Sequence, residues 1–322
     1  MPNSTMGAAK LPGSRSEQDK STIGRIGVIG LGHMGRAFAA NLVQDGNKVS
    51  VYDRDPTRAT TLAGATAATR IADLASCGVV LTSLPDDDAL AAVALGPGGL
   101  AAVLPQNAVH ISMSTVSPGI SRRVYEEHTR HRQNYVAAPV IGNPDFARTR
   151  KVFVLAGGAP SAIDKVRPLL EALGQRLFVI AEDPGLANLM KLAANVLTAT
   201  TLECMGEVLA LARKGGVDQH RAYDVLTNSL FDSQVHKTYG RKIVEERFGE
   251  PNFPAPLAVK DLRLALAEAE RSEVPMPAAA LVHDRLIELV ARGWDKLDWS
   301  AIGLLAAVNA GLGEAGLGED RP

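Results

Sequence analysis

Gly27-Val28-Ile29-Gly30-Leu31-Gly32-His33-Met34-Gly35 continues an apolar run from Ile26 and leads directly into Arg36-Ala-Phe-Ala-Ala-Asn-Leu-Val-Gln44. It joins a strand pattern to a helix pattern through glycines spaced G-x-G-x-x-G. That spacing lets a backbone approach a pyrophosphate and lay it on a helix N-terminus. The context that the motif requires is also present. A second strand pattern, Lys48 to Tyr52, follows the helix and ends at Asp53, about 20 residues past the glycines, where a ribose-binding acid belongs. The stretch therefore points to a bound dinucleotide.

The chain has 322 residues, enough for two domains with a core in each. Its 34 Lys and Arg against 35 Asp and Glu leave a formal charge of −1, so charge implies neither a nucleic-acid partner nor an anionic membrane surface. No uncharged apolar run reaches the roughly 18 to 20 residues that span a bilayer. The two cysteines, Cys77 and Cys204, lie far apart and read as reduced core thiols of a cytoplasmic protein. The seven histidines show no ligand pair at metal spacing, and His128 and His131 read as residues of a solvated helix end; no metal is expected.

From Arg25 to about Asp183, short β-type runs alternate with helical patterns, as in a doubly wound parallel sheet of the Rossmann type. The expected strands are 25–29, 48–52, 78–83, 108–112, 135–139, 152–156 and 176–180. From Gly185 onward apolar residues recur at helical spacing, over 186–212, 221–226, 262–269, 278–290 and 300–310, with no strand pattern. The expected organisation is a flexible lead-in (1–22), a nucleotide-binding domain (23–183), an all-helical domain for substrate and dimerisation (184–312) and a flexible tail (313–322). The helix after Asp183-Pro184-Gly185 is expected to run for about 28 residues and to join the two domains.

Lys191 is the one charged side chain between Asp183 and Glu203, on a helix otherwise lined by Leu, Met, Ala and Val. Asn188 and Asn195, three residues before and four after it, project from the same face. A desolvated ammonium has a lowered pKa, which suits it to give a proton to a developing alkoxide and to take it back. A structural lysine capping carbonyl groups would leave the same pattern.

Taken together, Gly30-Leu-Gly32-His-Met-Gly35, Ser114-Thr115-Val-Ser-Pro118, Ala138-Pro139-Val140-Ile141-Gly142, Gly185-Leu-Ala-Asn-Leu-Met-Lys191-Leu-Ala-Ala-Asn195 and Lys260-Asp261-Leu262 resemble the motifs of the β-hydroxyacid dehydrogenases. That group includes 3-hydroxyisobutyrate dehydrogenase, tartronate semialdehyde reductase and the glyoxylate/succinic semialdehyde reductases. The resemblance runs from about Ile23 to Leu312. It implies hydride transfer between NAD or NADP and a small semialdehyde, 2-oxo acid or 3-hydroxy acid. It makes Lys191 the catalytic acid and base, with Asn195 orienting the substrate. Leu31, His33, Met34 and the three glycines would hold the cofactor, together with Leu84, Pro85 and Thr115. Lys260 would close over it, and Ser114 would lie near the nicotinamide and the substrate. The apolar surface of the long helix, over 186–212, points separately to a homodimer formed through the helical domain.

One departure bears on substrate. The third motif of these enzymes usually reads Pro-Val-Ser-Gly-Gly, with the hydroxyl and backbone amides holding a carboxylate. Here Ile141 replaces the Ser and Asn143 the second Gly, and an alkyl group donates no hydrogen bond. Gly142 and Asn143 retain backbone amides for an anion, in a pocket more apolar than usual. Two alternatives follow. Imine reductases share the glycine fingerprint and the long helix but usually carry Asp or Tyr at the position of Lys191. A non-catalytic dinucleotide-binding scaffold would have replaced that lysine with an apolar residue. For the cofactor, Asp53 favours NAD by accepting from both ribose hydroxyls, whereas Arg54, with Arg58 a turn later, suits the 2′-phosphate of NADP. Dual use is expected.

Overall fold

The computed structural model describes residues 24–249 and 251–312. The expected lead-in and tail lie outside the described residues. Contacts divide the chain into two units. One comprises the chain up to Ser114 with Ile120–Ala187, and the other comprises Thr115–Gly119 with the chain from Asn188 onward. The main division thus falls four residues past the expected boundary, and a five-residue segment after Ser114 joins the second unit.

The first unit is built on a sheet of nine strands among the described residues: β1 (Arg25–Ile29), β2 (Val49–Tyr52), β3 (Thr66–Ala67), β4 (Cys77–Thr82), β5 (Val109–Ser112), β6 (Asn134–Ala137), β7 (Val140–Ile141), β8 (Phe153–Gly157) and β9 (Arg176–Ala181). Their order is β3-β2-β1-β4-β5-β6-β8-β7, with β9 also on β8. Pairings from β3 through to β6 are parallel, whereas β8 runs antiparallel to both β6 and β7. The sheet is therefore doubly wound and mainly parallel, with a reversed section at one end. Val79, Val80 and Leu81 are all buried, because a parallel strand covered on both faces buries successive side chains rather than alternate ones.

The expected strands occur within one or two residues. The two that sequence patterning omits, β3 and β7, have two residues each, too short to show a period. The strand expected to reach Pro139 stops at Ala137, since proline has no N–H for the ladder. The Pro139 carbonyl instead accepts from Leu155 N at 2.9 Å, and Val140–Ile141 turns to pair with β8.

The chain winds outward from β1 to β3 and then returns across β1 to β4. Adjacent strands β1 and β4 thus lead to opposite sides of the sheet, and the crevice outside their carboxyl ends is where such sheets bind ligands. Gly30 follows β1 there, and Ser83-Leu84-Pro85 follows β4.

The second unit is helical: Gln219–Thr227, Gln234–Val244, Ala255–Arg271, Pro277–Ala291 and Ile302–Asn309 pack with most of the 31-residue helix Pro184–Lys214. Gln234–Val244 was not expected, because its sequence QVHKTYGRKIV mixes polar residues and a glycine into the apolar spacing. That glycine, Gly240, lies against Met205 and Tyr223, where a β-carbon would stand 2.6 Å from the end of the Met205 side chain and 3.1 Å from the Tyr223 ring. The long helix begins at Pro184, where a missing N–H costs nothing. It buries Leu192, Val196, Ala199, Leu202, Met205 and Leu209. Among the described residues no helix is long and apolar enough to cross a membrane.

Two sequence expectations are corrected. Cys204 is exposed, and only Cys77 is buried. His128 is wholly buried rather than solvated, whereas His131 is at the surface. The helix Pro118–Arg130 turns Ser121, Val124 and His128 toward the sheet, a three-four spacing disguised by its polar members. There His128 Nδ1 meets Gln133 Oε1 at 2.6 Å, and its Nε2 meets His110 Nδ1 at 2.8 Å.

Burial pushes the pKa of His128 down from 6.5 to about 4, partly opposed by the Gln133 hydrogen bond. Between those values the unfolded chain takes up a proton that the native state refuses, so stability is full above about pH 6.5 and is lost on acidification toward 4. A denaturant midpoint followed across that interval should fall, and the fall should be shallower in His128→Gln, which has nothing to protonate. An equal slope in the variant would assign the acid sensitivity elsewhere.

Candidate functional site

The nucleotide-binding residues expected in the first unit form one turn. Gly30 has φ +86°, and a β-carbon there would stand 2.3 Å from the Ser83 carbonyl oxygen. At Gly35 a β-carbon would meet the Gly30 carbonyl oxygen at 1.9 Å. Gly32 is different: a β-carbon would find nothing within 4 Å, so the backbone there faces open space. It starts the helix His33–Gln44, which has no side-chain cap and no acid in its first turn. Uncapped N–H groups beside a bare backbone fit a pyrophosphate. The residues present thus suit a dinucleotide.

Asp53 is buried at the end of β2. Its Oδ2 accepts from Leu31 N at 2.6 Å and its Oδ1 from Asp55 N at 2.9 Å, so the acid also holds the glycine turn in place. Arg54 is exposed, and Arg58 pairs with Asp55 at 3.4 Å rather than standing apart. Arg36, which sequence reasoning passed over, donates to Thr61 Oγ1 and to the Arg58 and Thr61 carbonyls, tying the helix after the glycines to the segment after Asp53. Leu84 N donates to Ser114 Oγ at 2.9 Å, which brings the turns after β4 and β5 together.

The third motif lies at the reversed section of the sheet. Ile141 pairs with Phe153, and Gly142 has φ +143° with its Cα side packed on Val152. Asn143 Oδ1 accepts from Phe146 N at 3.0 Å and so caps the short helix Pro144–Arg148.

In the second unit the long helix presents Lys191 and Asn195 together, both 7% exposed. Lys191 Nζ donates to Asn195 Oδ1 at 2.8 Å, and Asn195 Nδ2 donates to Asp261 Oδ2 at 2.6 Å. The amide orientation is forced, since an ammonium only donates and a carboxylate only accepts. Asp261 also pairs with Lys260 Nζ at 2.9 Å, and that ammonium donates to the Thr115 carbonyl at 2.6 Å. Lys191, Asn195, Asp261, Lys260 and Thr115 are thereby one chain of charge-assisted contacts. Burial pushes the Lys191 pKa down from 10.5 to about 8; Asp261 opposes the shift and Lys260 adds to it. Asn188 is fully buried on the same helix.

The sequence motif Lys260-Asp261-Leu262 gives Asp261 no role by itself, yet the residue falls on the buried stripe of its helix with Ala258, Leu262 and Ala265, where an unpaired acid would be costly. Among the described residues no group of three or more His, Cys, Asp or Glu is arranged to hold a metal.

Residues 25–181 match the family model for the NAD binding domain of 6-phosphogluconate dehydrogenase, and residues 185–305 match that for the NAD-binding domain of NADP-dependent 3-hydroxyisobutyrate dehydrogenase. The chain is 35% identical to an uncharacterized oxidoreductase, YfjR, of Bacillus subtilis, over 86% of this chain and 98% of the relative. It is 29% identical to glyoxylate/succinic semialdehyde reductase 1 of Arabidopsis thaliana, over 86% and 96%. A crystal structure of 3-hydroxyisobutyrate dehydrogenase from Salmonella typhimurium superposes with TM-score 0.80 over 88% of this chain and 99% of that one, at 23% identity, which speaks for a common fold. With both family models in sequence and relatives matched over nearly their whole length, the chain belongs to the β-hydroxyacid dehydrogenases, enzymes that use NAD or NADP.

Proposed function

We propose that this enzyme reduces a small semialdehyde or 2-oxo acid, or oxidises the matching hydroxy acid, with Lys191 as the general acid and base. The observation that carries the assignment is the buried ammonium of Lys191, held by Asn195 and with its pKa brought down to about 8. A bound nicotinamide dinucleotide supplies or accepts the hydride. Gly30, Leu31, Gly32, His33, Met34 and Gly35 would hold its pyrophosphate, and Asp53 and Arg54 its adenosine ribose.

Of the three N–H donors of Lys191, Asn195 accepts one. Another donates to the substrate carbonyl oxygen and passes its proton as negative charge develops there. Asn195 keeps Nζ in one place, and Asp261 fixes Asn195 in turn. Asp261 also keeps the ammonium from being neutralised altogether by burial. Pre-set geometry of this kind lowers a barrier without reorganisation during the reaction.

The substrate class rests on relatives named for glyoxylate/succinic semialdehyde and for 2-hydroxy-3-oxopropionate. Ile141 makes its position apolar, which favours a substrate with less demand for hydrogen bonds there. We further propose a homodimer. Met190, Leu197, Cys204 and Leu211 are exposed on the long helix at seven-residue spacing, with Val208 exposed one turn after Cys204, and a second copy would cover them. Light scattering should give twice the chain mass, and Leu197→Asp with Leu211→Asp should halve it.

Lys191→Ala should lower turnover by at least about 100-fold while leaving dinucleotide affinity unchanged. Reduction needs the protonated amine and should decline as pH rises through about 8, whereas oxidation needs the free amine and should rise there. Rates in both directions check this, and a flat profile with chemistry rate-limiting would remove Lys191 from proton transfer. Turnover with NADH and NADPH against glyoxylate, succinic semialdehyde, tartronate semialdehyde, 3-hydroxyisobutyrate and a cyclic imine tests the substrate class. Activity on the imine alone would overturn it. Ile141→Ser should raise activity on the carboxylated substrates, and no change would place residue 141 away from the substrate.

A further inference from the structure

Beneath the turns that follow β4 and β5 lies a buried polar cluster that the reaction does not use. Gln133 Nε2 donates to the carbonyl oxygens of Ala101 (3.1 Å) and Leu104 (2.7 Å), which can only accept. Its Oε1 is therefore the atom facing His128 Nδ1 at 2.6 Å, and that nitrogen must carry a hydrogen. In neutral His128, Nε2 is then a bare acceptor, so His110 Nδ1, at 2.8 Å, carries the next hydrogen. His110 Nε2 is left bare and accepts from Thr82 Oγ1 at 2.9 Å. Both rings are neutral, both are Nδ1–H tautomers, and every hydrogen points from Thr82 toward Gln133. Thr82 and His110 are completely buried, as is His128.

Thr82 is the last residue of β4. Its carbonyl accepts from Met113 N at 2.8 Å, and Ser83 N donates to the Ile29 carbonyl at 2.9 Å. The next carbonyl, that of Ser83, is the one that excludes a side chain at Gly30. We propose that Gln133, His128, His110 and Thr82 form a positioning relay that fixes the Ser83–Pro85 turn against the glycine turn and so sets dinucleotide affinity. The proposal rests on the cofactor assignment above. Without the hydroxyl, His110 Nε2 would be a buried acceptor with no donor, and relief requires the ring, and the strand end beside it, to shift.

The titratable groups facing the pair are Tyr135 from β6, whose ring lies 5.2 Å from that of His110 and 6.0 Å from that of His128, and Glu127 and His131 at the end of the helix that carries His128. Asp87 acts on the Tyr135 phenol, and burial holds that phenol in its neutral form. Burial likewise holds both imidazoles uncharged near neutrality. The relay is thus in one state where the enzyme would work.

The test uses the full chain with Thr82→Val, which keeps the shape and removes the donor, and Thr82→Ser, which keeps the donor. Titration with NADH and with NADPH should show about tenfold weaker binding for Thr82→Val and binding within about twofold for Thr82→Ser, the scale of one hydrogen bond. Turnover at saturating dinucleotide should be little changed in either. Long-range 15N–1H NMR should show His110 and His128 as Nδ1–H tautomers in the wild type. Should Thr82→Val fail to fold, Gln133→Leu, at the far end of the relay, should weaken binding by a smaller factor. Unchanged affinity in the folded variants, or an Nε2–H tautomer for either histidine, would overturn the relay alone. A wild type that binds neither dinucleotide would overturn the cofactor assignment as well.

Discussion

The Ser83 carbonyl oxygen occupies space that a side chain on residue 30 would need, and the Gly30 carbonyl does the same to residue 35. Two backbone segments thus press together where β1 and β4 diverge. The rest of the first unit is arranged around that contact. It brings the helix after Gly32 close to the sheet, which leaves the uncapped end of the helix facing outward. It also places Leu31 N where Asp53 can accept from it. Any larger residue at 30 or 35 would move all of these together, because interiors are too closely packed to absorb a displaced backbone locally.

The second unit balances opposing electrostatic effects on Lys191. Burial alone disfavours the ammonium, and a single nearby carboxylate would restore its charge almost fully. Here the carboxylate of Asp261 is shared with Lys260, and Asn195 stands between it and Lys191. The attraction is therefore diluted, and the amine is left able to exist in either protonation state near neutral pH. A direct ion pair would have held the proton more firmly. A wholly apolar surrounding would have removed it.

Much of this was legible in the sequence because the determining features were local. The glycine spacing, Asp53 and the isolated lysine can each be read within a few residues, and the strands of the parallel section followed from apolar runs between turn residues. Other features depend on what tertiary packing brings together. β7 pairs with β8 across a reversal that only Pro139 hints at, and the helix Gln234–Val244 packs through Gly240 against Met205 and Tyr223, which are distant in sequence. His128 looked solvated since its neighbours in sequence are charged, whereas its partners come from β5 and from the turn at Gln133. Asp261 belongs to the same class: its partner Asn195 is 66 residues away.

The short segment Thr115–Gly119 has a consequence for dissecting the molecule. It lies in sequence within the stretch matched by the first family model, yet its contacts assign it to the second unit, where Thr115 accepts from Lys260. The point near residue 184 where the two family models meet is therefore not a seam along which the enzyme can be cut. A fragment beginning at Asn188 would keep Lys191, Asn195 and Asp261 but leave the Lys260 ammonium without the carbonyl it donates to, and the complementary fragment would carry five residues severed from their packing partners. Chimeras that exchange halves between relatives would have to carry Thr115–Gly119 with the helical half, although it is encoded within the other.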